Sequence, residues 1–177
     1  MIERIIETKI PGCYRIQVKK FQDARGLFIK TFHSAEFLKY GLEVDFKEEY
    51  YSVSAKNVLR GMHFQKSPAD HAKVVYCAAG KVQDVVLDLR KDSPSYGGYD
   101  SFDLSANDGQ LIYISKGLAH GFLSLEDNSI LVYKVSTLYS AEHDSGILWN
   151  SFGADWKLNG NLIISDRDKM FKQMDEI

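Results

Sequence analysis

Short runs rich in Val, Ile, Tyr and Phe recur along the chain, each soon closed by Gly, Asp, Asn or Ser. Such spacing leaves little room for long helices and no βαβ alternation, so an all-β sandwich or barrel with short peripheral helices is expected. Residues 14–20 alternate, with Tyr14, Ile16 and Val18 on one face. Further strands are expected at residues 27–32, 46–53, 58–65, 101–104, 110–114, 120–125 and 129–138. Residues 73–78 and 82–89, separated by Gly80-Lys81, read as a hairpin. One short helix is expected over residues 34–40, with Ser34 as N-cap and Gly41 as stop.

At 177 residues, with 45% hydrophobic and 26% charged, the chain can bury one core, and a single domain over residues 1–177 is expected. A net charge of −2 without any Lys/Arg cluster argues against a nucleic-acid partner. No apolar run approaches the ~20 residues of a membrane helix. The charged start Met1-Ile2-Glu3-Arg4 is unlike a secretory leader, so no membrane association and a cytoplasmic location are expected. Cys13 and Cys77 are too far apart for a metal knuckle, and Cys77 reads as a buried, reduced thiol.

Two segments stand out chemically: Leu59-Arg60-Gly61-Met62-His63-Phe64-Gln65 and Gly117-Leu118-Ala119-His120-Gly121-Phe122. Each sets a histidine and a glycine among strand residues. An imidazole exchanges protons near neutral pH, and Arg60 suits an anionic substrate. Strand alternation groups His63 with Gln65, Lys73 with Val75 and Cys77, and His120 with Phe122, so two histidines and a lysine are expected in one barrel interior. That set suits enolisation. A base removes a proton beside a ketone, fixed cationic or hydrogen-bonding groups hold the oxyanion, and an acid returns a proton to the other face. Tyr133 and Tyr139 are candidate acids, although strand tyrosines commonly just pack. A metal-dependent cupin is the rival. His63-Phe64-Gln65 lacks a His-x-His pair, and His63 with His120 falls short of three ligands, so neither a metal nor another cofactor is expected.

Many pieces in order resemble the dTDP-4-dehydrorhamnose 3,5-epimerase family. They include Asp23-Ala24-Arg25-Gly26-Leu27-Phe28, Val58 through Gln65, Ala72-Lys73-Val74-Val75 and Gly80-Lys81-Val82-Gln83-Asp84-Val85. Gly117 through Phe122, Tyr133-Lys134, Gly146-Ile147-Leu148-Trp149-Asn150 and Ser165-Asp166-Arg167-Asp168 complete the series. The resemblance implies a cupin-like jelly roll acting on a nucleotide-diphosphate 4-keto sugar, and a homodimer that exchanges N-terminal strands and shares ligand contacts across its interface. It implies His63 as base, Asp168 as its carboxylate partner, Lys73 with His120 at the enolate oxygen, Asp84 behind one of them, and Tyr133 as acid. Tyr139 would wall the sugar pocket, Arg60 would bind the diphosphate or sugar, and Arg25 with Phe28 would line the nucleotide site. Lys30 stands where the family commonly has glutamate, and Glu48-Glu49-Tyr50-Tyr51 where it has Gln-Asp-Asn-His, so recognition of the base is expected to differ there. Inversion at one carbon only, ketone migration and non-enzymatic binding remain the alternative functions.

Overall fold

The structure is a computed structural model describing residues 1–177. In chain order it forms β1 (Ile2–Glu7), β2 (Cys13–Val18), β3 (Lys20–Asp23), β4 (Gly26–Ile29), α1 (Ser34–Leu38), β5 (Glu48–Ser54), β6 (Leu59–Gln65) and β7 (Lys73–Ala79). Then come β8 (Lys81–Asp88), β9 (Tyr99–Ser105), β10 (Gln110–Ile114), β11 (Leu118–Ser124), β12 (Ser129–Val135), β13 (Asp144–Gly146) and α2 (Asp166–Lys169). Two antiparallel sheets make an all-β, cupin-like jelly-roll barrel. One runs β1-β2-β10-β7-β12-β5 and the other β13-β6-β11-β8-β9, while β3 and β4 pair only with each other. No helix is long and apolar enough to cross a membrane.

Alternation explains the layering. Between the sheets lie Val75, Val86, Ile112, Ile114, Phe122 and Leu131, each buried. Full burial of such a side chain contributes roughly 1.5–3 kcal/mol. Val74, Ile16 and Val18 face outward beneath Phe37 of α1 and Leu42. On the other sheet, Leu59, Met62, Val85 and Leu123 lie beneath Ile147 and Trp156 of the C-terminal segment. With both faces covered, β11 is buried at all seven positions, the polar His120 and Ser124 included.

The expected hairpin at Gly80-Lys81 does not form. β7 pairs with β10 and β12, whereas β8 pairs with β11 and β9 in the opposite sheet. The chain turns a corner at Gly80, whose φ of +69° suits a glycine, and a Cβ there would lie 2.5 Å from Ser129 Oγ. The helix forms one residue away from its expected cap: His33 is the N-cap, without a side-chain hydrogen bond, and Ser34 begins α1. β1, which is not among the strands expected from alternation, extends the six-stranded sheet. Both cysteines are buried and free.

Candidate active site

The two sheets converge their polar residues on one end of the barrel. β6 and β11 pair His63 directly with His120, and β12 sets Tyr133 beside Val75 of β7, on the strand that carries Lys73. All four residues, with Arg60 and Tyr50, line a cavity of about 220 Å³. His63, Lys73 and Tyr50 also line a larger neighbouring hollow of about 350 Å³, beside Tyr139, Asp144 and Glu48. The glycine near each histidine, Gly61 and Gly121, has a packing reason. A Cβ on Gly61 would lie 2.5 Å from Gly121 Cα, where the β6–β11 register slips between His120 and Phe122.

His63 Nε2 and Asp168 Oδ1 share a hydrogen bond of 2.9 Å. The other carboxylate oxygen accepts from the Gly61 N–H at 3.1 Å, and Ser165, the N-cap of α2, accepts from the Asp168 N–H. Asp168 is 3% exposed. Burial pushes its carboxyl up, but the His63 hydrogen bond and charge, the Gly61 N–H and Ser165 together hold it below the usual range. An ionised Asp168 keeps the proton of a neutral His63 on Nε2, leaving Nδ1 with a lone pair to take a proton. This is the geometry of an oriented general base.

His120 Nε2 lies 2.7 Å from Asp84 Oδ2, with both residues buried. Burial lowers the affinity of His120 for a second proton, against the opposing pull of Asp84. A neutral His120 donates to Asp84. Lys73, 6% exposed, is pulled down to about 8 by burial, opposed by Asp84 and Asp144. Both of those carboxylates are bonded elsewhere, Asp84 to His120 and Asp144 to Arg167 and Tyr139. The ammonium therefore remains available to an oxyanion in the cavity.

Tyr133 faces the histidines from the opposite sheet. Its hydroxyl is 3.2 Å from Ser52 Oγ, and its ring stacks on Tyr50 with centroids 4.9 Å apart. Burial pushes its hydroxyl pKa up, so it stays protonated until it meets a strong base such as an enolate. Arg60 is held by Ser54 Oγ and the Val53 carbonyl at the cavity wall. At the mouth, the exposed Tyr139 donates from its hydroxyl to Asp144 and from its backbone N–H to Glu48 Oε1. Lys134 points to the other strand face, paired with Glu49.

Arg25, Phe28 and Lys30 are not brought to this cavity. They lie on the β3–β4 ribbon, which pairs only with itself and projects its side chains outward. Arg25 pairs with Asp23, and Phe28 packs on Phe21 and lines a separate hollow with Lys30. Sequence reading missed His71, Asp144 and Phe171 near the site, and it named Tyr50 only among the positions around the base and Arg167 only as part of the C-terminal motif. Tyr50 sits on an expected strand, whereas His71 falls between two of them. Asp144 and Phe171 lie in aperiodic stretches that offer no signal. No cluster of three His, Cys, Asp or Glu side chains is gathered as a metal site.

A family model described as dTDP-4-dehydrorhamnose 3,5-epimerase matches residues 7–176. A dTDP-4-dehydrorhamnose 3,5-epimerase of Methanothermobacter thermautotrophicus is 41% identical over 98% of this chain and 95% of its own length. Among solved structures, the Legionella pneumophila dTDP-6-deoxy-D-glucose-3,5-epimerase in complex with dTDP-4-keto-L-rhamnose superposes with a TM-score of 0.94. It is 32% identical, covering 98% of this chain and 94% of that one. A dTDP-4-dehydrorhamnose 3,5-epimerase from Bacillus anthracis with TDP and pyrophosphate bound gives 0.91 at 34% identity, over 96% and 98% of the two chains.

Proposed function

The chain belongs to the dTDP-4-dehydrorhamnose 3,5-epimerase family, and from that membership we propose how its own cavity performs epimerisation. The substrate is a nucleotide-diphosphate-linked 4-keto-6-deoxy hexose, with dTDP as the nucleotide. His63, oriented by Asp168, removes the proton from a carbon beside the ketone. Lys73 donates to the enolate oxygen, and His120, its Nε2–H held by Asp84, lines the cavity beside it. Tyr133 returns a proton to the opposite face, and the carbon inverts. Arg60 meets the diphosphate, while Tyr139 and Glu48 border the entrance.

One observation carries this reading. His63, the proposed base, lies on the five-stranded sheet and Tyr133, the proposed acid, on the six-stranded sheet, with one cavity between them. A sugar held in that cavity is approached from both faces, which inversion requires and ketone migration does not. The test is incubation in deuterated water with nucleotide-linked 4-keto sugars carrying dTDP, UDP, CDP or GDP. Deuterium is expected at carbons 3 and 5 of the dTDP sugar. Label at one carbon would make the protein a single-centre epimerase. Binding without any label would remove the epimerase assignment, and faster turnover of another nucleotide would move the substrate to that base.

We also propose a homodimer in which the β3–β4 ribbon of one subunit reaches the site of the other. The outward display of Arg25 and Phe28, neither of which lines the cavities that hold His63, supports that arrangement.

A further inference from the structure

The C-terminal segment puts a second group on His63 besides Asp168. β13 pairs with β6 so that Gly146 stands opposite His63, where a cross-strand side chain would ordinarily pack against the imidazole. Gly146 has none, and the ring of Phe171 fills the space. A Cβ built on Gly146 would overlap Cδ2, Cε2 and Cζ of that ring. Phe171 meets the His63 ring in a T-shaped contact, centroids 5.7 Å apart and planes at 79°. The Arg167 guanidinium lies 5.1 Å from the Phe171 centroid and donates to Asp144. The backbone fastens this arrangement: the Leu148 N–H donates to the Lys172 carbonyl at 2.8 Å, and Ile147 forms a parallel bridge with Lys172.

We propose that Phe171, seated on Gly146, is a positioning residue that holds the plane of the His63 imidazole while Asp168 holds its Nε2. Residues 168 and 171 lie on one segment, so its docking sets two constraints on the same ring: a hydrogen bond at one atom and an aromatic wall. With the bond alone, the ring still swings about it. The wall removes that freedom and aims Nδ1. The inference rests on His63 being the base of the proposed reaction.

Phe171→Leu, Phe171→Tyr and Gly146→Ala in the full chain test it. The measurements are kcat and KM with the dTDP-linked sugar, thermal midpoint, and solvent exchange of the His63 Nε2–H by NMR. Phe171→Leu is expected to lower kcat about ten- to a hundred-fold with KM little changed, since misaiming a reacting group by ~1 Å has effects of that size. The Nε2–H should exchange faster in the same variant. Phe171→Tyr, which keeps the ring, should restore both readouts. Gly146→Ala displaces the ring and should resemble Phe171→Leu; if it does not fold, the two Phe171 variants still decide. Wild-type kcat and exchange in Phe171→Leu would overturn the proposal, as would a loss of thermal midpoint alone. A wild-type protein without turnover would end the assignment of His63 as base, and the Nε2–H comparison would still decide whether Phe171 holds the ring.

Discussion

Lys73 carries its ammonium in a buried wall where the nearest carboxylates are already bonded to other groups. Its pKa falls from 10.5 to about 8 in the folded chain, chiefly through burial. Below pH 8 both folded and unfolded chains bear the charge, and folding carries the full desolvation penalty. Between about 8 and 10.5 the unfolded chain binds the extra proton, so this penalty fades as pH rises. Lys73→Met is therefore expected to stabilise the fold at pH 7, by on the order of 1–3 kcal/mol, while abolishing turnover. Urea midpoints at pH 7 and pH 10 check this, with the smaller gain expected at pH 10. A variant less stable than wild type at both pH values would show that the lysine stem matters more than its charge. Alternation alone grouped Lys73, His63 and His120, because neighbouring side chains on a strand point to opposite faces. It could not reach Asp168, which only the family motif singled out, nor Phe171, which lies outside any strand.

At the scale of elements, the corner at Gly80 separates two readings of the same local pattern. Two strands joined by a Gly-Lys turn are ordinarily a hairpin. Here β7 and β8 go to opposite sheets, because each has better partners already in place: β10 and β12 for one, β11 and β9 for the other. Gly80→Ala must hold a left-handed residue and also displace Ser129. Gly153 has a similar φ of +76° with nothing within 4 Å of an added Cβ. Gly153→Ala should cost about 1–2 kcal/mol from backbone strain alone, and Gly80→Ala more, by an amount that reports the clash. Equal urea midpoints for the two would show that the corner yields freely. The strands themselves were legible because one buried face imposes a period of two. β11 was legible as a strand but not as doubly covered, since the C-terminal segment that buries its outer face lies far along the chain.

At the scale of the molecule, the ribbon of β3 and β4 is the part that the barrel does not use. If it serves the partner subunit, a chain with His63→Asn and a chain with Arg25→Ala should each be nearly inactive alone. Mixed as a heterodimer they should recover activity, because one site then has an intact base from its own chain and an intact arginine from the other. No recovery in a verified heterodimer would place Arg25 in service of its own subunit, and full activity of Arg25→Ala alone would put it outside the reaction. The strand pattern, the barrel class and the two histidine segments could be read from local order, because burial on a sheet dictates side-chain alternation over a few residues. Closing of the barrel by a sheet switch at Gly80, the meeting of His63 with Asp168 and Phe171, and the placing of His63 and Tyr133 on facing sheets arise from contacts between distant segments. Only packing of the whole chain selects those contacts, since each partner alone is an ordinary residue in an ordinary stretch.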